Sequence, residues 1–321
     1  MTQPSINSTF DTSLVDLNPN VSFSTTESDP SDAGMSTTTQ KISTPSPLAQ
    51  NLNQDTPQAS QVIPPKTPTP VQHIGTQEAY DQWATVYDTD GNMLQSIDDD
   101  ELNTLLPSLL DQVASKSGPV INVLDLGCGT GRNTARLLSH PWPADKSINA
   151  TGLDFSTGML SLARRKLAPL ADARSNTEFR LEHCDPFPTS QPFSPTTLAL
   201  PPQNLVISTL VLEHISLSNF FTTISSLLAP DGTALVTNMH SEMGSRSQAG
   251  FVNAEGVKVR GESYVYTLAE TVQSAEGAGL RVLQARERSV AEGDVRSGVV
   301  GKRGVKWVGC KVWFGVVVRK M

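Results

Sequence analysis

Three glycines recur at every second position in VLDLGCGTGRNT, which runs from Val123 to Thr134. Gly127, Gly129 and Gly131 directly follow an apolar run typical of a buried strand and directly precede a segment with helical spacing. Glycine allows the chain to turn sharply and to approach a ligand closely, because it has no Cβ. The segment therefore predicts a strand, a ligand-binding turn and a helix.

The spacing of this turn distinguishes two classes of cofactor. The dinucleotide fingerprint is G-x-G-x-x-G, in which the third glycine packs helix against strand, and Arg132 occupies that position here. Asp125, just before the turn, would repel phosphates but can accept hydrogen bonds from a cationic ligand. Both residues favour a nucleoside that carries an amino group and no pyrophosphate, and S-adenosylmethionine fits this description.

Two further acids end the next two predicted strands. Asp154 follows Gly131 by about 20 residues, where nucleotide-binding folds place the acid that binds the ribose diol. Asp185 ends the third strand, within reach of an adenine amino group. The alternatives are an acid at a helix start for Asp154 and a turn residue before Pro186 for Asp185.

The elements around these residues alternate between strand and helix. Strands are predicted over 120–126, 148–154, 178–185, 204–214, 233–240, 281–290 and 306–318, and helices over 78–88, 98–114, 131–138, 157–167, 218–232 and 267–280. Alternation of this kind predicts an α/β fold: a Rossmann-like, doubly wound, seven-stranded and mostly parallel sheet with helices on both faces. In such sheets ligands bind at the carboxyl ends of the strands.

The N-terminal part of the chain has a different composition. Residues 1–75 are rich in Ser, Thr, Pro, Gln and Asn, contain ten of the 22 prolines and show no helix or strand period. Such a segment buries too little apolar surface to offset its ordering entropy. We predict a disordered tail over 1–75 and one folded domain over 76–321.

Composition excludes several classes of protein. The net charge of −8 disfavours non-specific binding to nucleic acid. No apolar stretch reaches the roughly 18 residues of a membrane span, and the absence of Lys and Arg before Lys41 argues against a targeting leader. Cys128, Cys184 and Cys310 are an odd number of widely spaced thiols, which indicates a reducing compartment and predicts a cytoplasmic protein.

Taken together, these segments resemble the class I S-adenosylmethionine-dependent methyltransferases, in the branch related to the ubiquinone/menaquinone-biosynthesis methyltransferases. AYDQWATVYD resembles the helix that closes over the cofactor, VLDLGCGTGRNT the glycine motif and TGLDFSTGMLSLAR the second-strand motif. HCDPFP, LVISTLVLEHI and LLAPDGTALVT resemble the three motifs that follow. The resemblance extends from about Ala79 to the C-terminus, so the predicted domain over 76–321 is the methyltransferase domain.

The resemblance implies a set of cofactor-binding residues, to which Asp125 is added by its position. The methionine part is lined by Gly127, Gly129 and Gly131 with Leu210 beside it; the ribose is bound by Asp154; Phe155, Met159, Cys184 and Asp185 lie by the adenine; and Tyr80 and Tyr87 cover the site. The chain departs from the family pattern at Asp231, where a glycine is usual, and in PFPTSQPFSPTTLALPPQ, which resembles an insertion after Asp185.

Methyl transfer from a sulfonium requires above all that the nucleophile be placed in line with the methyl group. A base is needed only where the nucleophile must lose a proton. His214 is the one weak catalytic candidate; the alternative is a histidine that bonds backbone at a strand end, and His183 and His240 have similar positions. Glu213 beside His214 does not make a metal site, so no metal is predicted.

The substrate is predicted only as a class. Residues 241–266 follow the fifth strand and, by the resemblance, help to shape the substrate pocket; they are neither basic nor strongly apolar, which favours a small organic molecule. YDTDGNMLQ resembles fungal methyltransferases of secondary metabolism, which suggests a natural-product substrate. The acceptor atom stays open among O, N, C and S, and the oligomeric state is not predicted.

Three other functions remain open at this point. A catalytically inactive methyltransferase fold could serve as a regulatory or scaffold protein through its tail. A NAD(P)-dependent oxidoreductase is disfavoured by Asp125 and Arg132. A protein or nucleic-acid methyltransferase is disfavoured because LVLEH follows the fourth strand in place of an Asn-Pro-Pro-Tyr-like motif.

Overall fold

A computed structural model describes residues 71–171, 173, 175–188, 193–253 and 255–321 of the chain. The tail predicted over 1–75 lies outside the described residues as far as residue 70, and so does part of the predicted insertion, residues 189–192. Residues 71–75 correct the predicted boundary, because Val71–His73 forms a strand that pairs with Lys258–Arg260. Three residues are too few to show a strand period in the sequence.

The helices and strands follow one another in the order that the α/β prediction requires. They are β1 (Val71–His73), α1 (Thr76–Trp83), α2 (Met93–Lys116), β2 (Val120–Leu126), α3 (Arg132–Ser139), β3 (Ser147–Asp154), α4 (Thr157–Ala171), β4 (Thr177–His183), β5 (Gln203–Thr209), α5 (Leu217–Leu227), β6 (Leu228–Met239), α6 (Ser241–Gly244), β7 (Phe251–Val252), β8 (Lys258–Arg260), α7 (Leu268–Gly277), β9 (Leu280–Ser289), α8 (Glu292–Ser297) and β10 (Lys311–Lys320). Short 3₁₀ helices occupy Pro195–Leu198, Leu212–His214 and Lys302–Trp307.

Seven strands form one sheet in the order β4-β3-β2-β5-β6-β10-β9. The first five are parallel, and β10 runs antiparallel between β6 and β9. The chain leaves β2 towards β4 and returns on the other side at β5, so the strand order reverses between β2 and β5. Ligands of doubly wound sheets bind outside the carboxyl ends of the strands at such a switch point. The predicted fold class is confirmed.

Alternate residues of β2 supply the two layers of the core. Ile121 and Val123 pack with α2, α3 and α4 on one face, and Leu124 and Leu126 pack with α5 and α7 on the other. Because the strand is covered on both faces, its sequence is a continuous apolar run without alternation. This arrangement holds the carboxyl end of β2, and the glycine turn after it, rigidly in the centre of the molecule.

A second, three-stranded sheet in the order β1-β8-β7 accompanies α1. Ala79 and Trp83 of α1 pack against Phe251 of β7 and Val259 of β8. We call α1 together with β1, β7 and β8 the cap. The cap positions the aromatic residues of α1 over the carboxyl ends of β2, β3 and β5.

Several predicted boundaries were wrong. The helix predicted over 218–232 ends at Leu227, because residues 228–232 belong to β6, and the strand predicted from 306 begins at Lys311, because Lys302–Trp307 is a 3₁₀ helix. The fourth strand ends at Thr209 rather than 214, since Leu210 adopts φ 57° and Leu212–His214 is a 3₁₀ helix. α2 begins at Met93 rather than 98, because the side chain of Asn92 accepts hydrogen bonds from the backbone N–H of Leu94 and Gln95. α1 ends at Trp83 rather than 88. In the part of the chain that the model describes, no helix is both long and apolar enough to span a membrane.

Candidate functional site

A cavity of about 160 Å³ lies at the carboxyl ends of the central strands, beneath the cap. Eight of the twelve predicted cofactor-binding residues line it, together with the catalytic candidate: Gly127, Gly129, Asp154, Phe155, Asp185, Leu210, Tyr80, Tyr87 and His214. The sequence did not single out the other lining residues, which are Thr76, Pro186, Phe187, Thr209, Val211 and Ile215. A larger groove of about 680 Å³ lies at the opposite, amino ends of the strands, between α2 and β9–β10, and contains none of the predicted residues.

The glycine turn has the backbone conformation that the sequence predicts. Gly127, Gly129 and Gly131 all have positive φ values of 76°, 55° and 82°. A Cβ on Gly127 would lie 2.5 Å from Cγ2 of Val211, and one on Gly131 would lie 2.7 Å from Cδ1 of Leu167. Gly131 therefore serves the packing of α3 on α4 and does not line the cavity, which is why its predicted contact with the cofactor is not found among the lining residues.

Asp154 connects the end of β3 to the glycine turn. Its carboxylate accepts hydrogen bonds from the backbone N–H of Gly129 and of Ser156, both at 2.8 Å. The residue is 6% exposed and lines the cavity. Burial raises the pKa of Asp154 to about 6, against the opposing effect of these two hydrogen bonds. A carboxylate has about four acceptor positions, so two remain for a ligand.

Asp125 is placed differently from its prediction. It is 1% exposed, does not line the cavity, and accepts a hydrogen bond of 2.6 Å from the hydroxyl of Thr134 in α3. Burial raises the pKa of Asp125 to about 6. Its other oxygen has no hydrogen-bond partner in the described structure. Asp125 thus lies behind the glycine turn rather than at the cavity surface.

Arg132 stands where the dinucleotide pattern has its third glycine, but its side chain does not fill the space beside the turn. Its guanidinium reaches α2, where it donates hydrogen bonds of 2.6 Å to Asp98 and 2.7 Å to Asp99. Arg132 therefore does not exclude a pyrophosphate by its bulk, because its side chain turns away from the cavity.

Of the four residues predicted to lie by the adenine, two line the cavity and two do not. Phe155 and Asp185 line the cavity, and Asp185 also accepts a hydrogen bond of 2.8 Å from the backbone N–H of Phe187. Met159 is fully buried in α4 and Cys184 lies beside the site, and neither lines the cavity. These two predicted contacts are therefore not found at the cavity surface.

Tyr80 and His214 close the cavity from the cap side. The Tyr80 hydroxyl lies 2.8 Å from Nε2 of His214, and Nδ1 of His214 lies 2.7 Å from the carbonyl oxygen of Glu262. A carbonyl only accepts, so Nδ1 carries a hydrogen; in the neutral ring Nε2 then accepts from Tyr80. Burial raises the pKa of Tyr80 well above its ordinary value, which keeps the phenol protonated as the donor. His214 is therefore hydrogen-bonded to the backbone, as the non-catalytic alternative predicted. It is also hydrogen-bonded to Tyr80.

A second, smaller cavity of about 20 Å³ adjoins the first. It shares Tyr80, Tyr87 and Leu210 with the larger cavity, and its other lining residues are Trp83, Asn92, Leu94, Glu213, Met239 and Ala249. The sequence analysis considered Glu213 only as a metal ligand and did not consider Trp83. Within the described residues no group of three or more His, Cys, Asp and Glu side chains could hold a metal ion.

A family model described as a methyltransferase domain matches residues 124–234, which run from β2 into β6. An uncharacterized methyltransferase of Emericella nidulans is 40% identical over 267 residues, covering 77% of this chain and 91% of the relative. The chain belongs to the class I S-adenosylmethionine-dependent methyltransferases. The cofactor of this family is S-adenosylmethionine, as the spacing of the glycine turn and the acid Asp125 predicted. The oxidoreductase alternative is inconsistent with this membership.

Solved methyltransferase structures are similar to this methyltransferase at low sequence identity. An S-adenosylmethionine-dependent methyltransferase from Mesorhizobium loti is 18% identical with a TM-score of 0.43, covering 65% of this chain and 96% of the other. Geranyl diphosphate C-methyltransferase from Streptomyces coelicolor is 12% identical with a TM-score of 0.48, covering 69% of this chain and 80% of the other.

Proposed function

We propose that this methyltransferase binds S-adenosylmethionine in the 160 Å³ cavity and transfers its methyl group to a small organic acceptor. One observation carries the proposal: the exposed backbone of Gly127 and Gly129 faces the same cavity as the carboxylate of Asp154. Glycine backbone lets a ligand approach closely, and a carboxylate accepts hydrogen bonds from a diol.

In this proposal each lining residue has a separate role. Asp154 accepts hydrogen bonds from the ribose hydroxyls, Phe155 and Asp185 lie by the adenine, and Leu210 lies beside the methionine part with the glycines. Tyr80 and Tyr87 cover the bound cofactor. The four predicted residues that do not line the cavity, Asp125, Gly131, Met159 and Cys184, support the lining residues from behind.

The cap opens to admit the cofactor. A volume of about 160 Å³ is smaller than the roughly 300–1,000 Å³ of typical small-molecule sites. Tyr80 and Thr76 of α1 lie on the lining, so an outward movement of the cap enlarges the cavity directly. Closure over the bound cofactor then excludes water from the reacting groups.

Methyl transfer in this site depends chiefly on how the cofactor and the acceptor are positioned. The acceptor atom attacks the methyl carbon in line with the sulfur, and the carbon–sulfur bond breaks to leave S-adenosylhomocysteine. The chain's own residues hold the cofactor and bring the acceptor to about 3–3.5 Å from the methyl carbon. A small acceptor of natural-product biosynthesis and a cytoplasmic location stay predictions from the sequence.

Calorimetric titration of the full chain with S-adenosylmethionine, S-adenosylhomocysteine and NAD tests the proposal. We expect binding of the first two, no binding of NAD, and loss of binding in Asp154→Ala. Absence of binding in a protein that is folded by circular dichroism would contradict it. Cofactor binding without methyl transfer to any small molecule would favour the inactive, regulatory alternative.

A further inference from the structure

The 20 Å³ cavity between the cap and β5–β6 is placed to hold the acceptor group. We call it the acceptor pocket. The acceptor pocket shares Tyr80, Tyr87 and Leu210 with the 160 Å³ cavity, which we call the cofactor cavity. Leu210 lies on the side predicted for the methionine part of the cofactor. A cavity that holds one water needs about 10–15 Å³, so the acceptor pocket has room for a single small polar group.

Three aromatic rings from α1 and the turn after it form one wall of the acceptor pocket. The ring centroids of Tyr80 and Trp83 are 5.5 Å apart, those of Trp83 and Tyr87 are 4.8 Å apart, and those of Tyr80 and Tyr87 are 6.0 Å apart. The electron-rich faces of such rings attract a cation within about 6 Å of their centroids. This wall therefore favours a positively charged group over a neutral one.

Glu213, a carboxylate residue, also lines the acceptor pocket. Glu213 is 4% exposed, and its only close hydrogen-bond donor among the described residues is the Ser263 hydroxyl, at 3.4 Å. Nε2 of His214 is 3.9 Å from Oε1 of Glu213 and is hydrogen-bonded to the Tyr80 hydroxyl at 2.8 Å. Burial raises the pKa of Glu213, and the neighbouring His214 and the Ser263 hydroxyl oppose this effect only in part.

A buried carboxylate without a permanently charged lysine or arginine beside it is costly, and a bound cation would compensate it. No lysine or arginine lies within 4.0 Å of Glu213 in the described part of the chain. An ammonium group has the size of one water, carries the required charge, and would contact both the rings and the carboxylate. A neutral alcohol of the same size would leave the charge of Glu213 uncompensated.

We propose that the acceptor is an amine, whose nitrogen is held in the acceptor pocket by Glu213 and the rings of Tyr80, Trp83 and Tyr87. This inference rests on the proposed function, because it assumes that the methyl donor occupies the adjoining cavity.

The reaction balances with residues of this chain and the cofactor alone. The ammonium transfers one proton to the Glu213 carboxylate, which frees the nitrogen lone pair. The nitrogen lone pair forms a bond to the methyl carbon as the carbon–sulfur bond breaks. The electron pair of the carbon–sulfur bond goes to sulfur. The products are S-adenosylhomocysteine and the methylated ammonium, and Glu213 releases its proton to water.

Binding of two small probes to the protein saturated with S-adenosylhomocysteine tests this inference. Ethylammonium and ethanol have nearly the same size and differ in charge, and their binding is compared by ligand-observed NMR. We expect ethylammonium to bind at least about tenfold more tightly than ethanol. Equal binding, or no binding of ethylammonium, would overturn the amine assignment, and this comparison needs no variant.

Variants then locate the bound cation. In Glu213→Gln we expect ethylammonium binding to fall at least about tenfold while the affinity for S-adenosylhomocysteine is unchanged. Glu292→Gln, which alters an exposed acid of α8, is the matched control and should bind both ligands as the unaltered protein does. Unchanged ethylammonium binding in Glu213→Gln would contradict the role of Glu213.

The same experiment separates this inference from the proposed function. If the unaltered protein does not bind S-adenosylhomocysteine, the proposed function fails and the amine inference fails with it. If it binds S-adenosylhomocysteine and prefers ethanol or a phenol, the proposed function stands and only the amine inference fails. In turnover, we expect primary and secondary amines to be methylated and matched alcohols not to be.

Discussion

Asp154 makes two backbone hydrogen bonds and also presents its carboxylate to the cofactor cavity. We expect Asp154→Asn to weaken binding of S-adenosylhomocysteine by roughly 10- to 100-fold, because hydrogen bonds to a charged group contribute about 1.5–3 kcal/mol. Asp145→Asn, at an exposed acid just before β3, is the control and should bind normally. Calorimetry measures both, and equal affinities in the two variants would contradict the role of Asp154.

The same residue predicts how cofactor binding depends on pH. Burial raises the pKa of Asp154 and of Asp125 to about 6, so both carboxyls take up protons as the pH falls through 6. A neutral acid is a weaker acceptor than a carboxylate, so the affinity for S-adenosylhomocysteine should fall below about pH 6 and be constant above about pH 7. Asp154→Asn should flatten this curve, and Asp125→Asn should change it little, because Asp125 does not line the cavity. Affinity that is constant down to about pH 5 in the unaltered protein would contradict this prediction.

Two glycines of the turn should respond differently to the same substitution. Both have positive φ, but a Cβ on Gly127 meets Val211 at 2.5 Å, whereas one on Gly129 meets no atom within 4 Å. We expect Gly129→Ala to cost about 1–2 kcal/mol of unfolding free energy, from left-handed strain alone. Gly127→Ala should cost about 1–3 kcal/mol more, from overpacking. Urea denaturation measures the difference, and equal losses would show that Val211 moves aside freely.

At the scale of elements, two side chains of α1 attach it to the start of α4. Oδ1 of Asp81 accepts hydrogen bonds from the Ser156 hydroxyl at 2.6 Å and from the backbone N–H of Gly158 at 3.0 Å. Gln77 donates a further hydrogen bond of 2.8 Å to the carbonyl oxygen of Phe155. These contacts hold the cap in its closed position over the cavity.

Asp81→Ala should therefore shift the cap towards its open position. Two hydrogen bonds are lost and each contributes about 0.5–1.5 kcal/mol, so we expect the dissociation constant for S-adenosylhomocysteine to rise by roughly 5- to 150-fold. Glu78→Gln, on the exposed side of the same helix, is the control and should have little effect. Calorimetry and a thermal melt are measured together. A fall in melting temperature without any change in affinity would contradict a role for Asp81 in closure.

The strands of the seven-stranded sheet and helix α1 could be predicted, and the three short strands of the cap could not. β2 was predicted without error because a strand covered on both faces is a continuous apolar run with sharp ends. β1, β7 and β8 have two or three residues each, which is too short for any period. The end of β5 was missed because Leu210, with φ 57°, breaks a run of residues that all favour strands.

The residues of the candidate site also fall into two groups, those that the local sequence predicted and those that it did not. The glycine turn and Asp154 lie within one strand–turn–helix–strand segment, so local sequence was enough to predict them. The pairing of Tyr80 with His214 joins residues 134 positions apart, and the position of Glu213 in the acceptor pocket depends on how the cap folds back over β5. No local pattern carries such information, although Glu213 directly precedes the histidine that the sequence did select.

At the scale of the whole molecule, Asp98 connects four elements that the chain order keeps apart. It is 0% exposed and accepts hydrogen bonds from Arg132 of α3 at 2.6 Å, from the Thr237 hydroxyl of β6 at 2.7 Å and from the Trp313 indole of β10 at 2.8 Å. Asp98 itself lies in α2. It therefore fixes α2 and the start of α3 against the half of the sheet that contains the antiparallel strand.

Removing the Asp98 carboxylate leaves the Arg132 charge without one of its two acids and leaves two buried donors unpaired. Breaking a buried ion pair typically costs about 3–5 kcal/mol, so we expect Asp98→Ala to lower the free energy of unfolding by about that amount. Asp100→Ala removes an acid from the same helix whose bond to Arg288 is 3.4 Å long and only partly buried, and it should cost less than about 1 kcal/mol. Urea denaturation with fluorescence detection reports directly on this network, because Trp313 is one of its members. A loss in Asp98→Ala no larger than that in Asp100→Ala would mean that the four elements are held together by apolar packing alone, with the buried charge contributing nothing to their alignment.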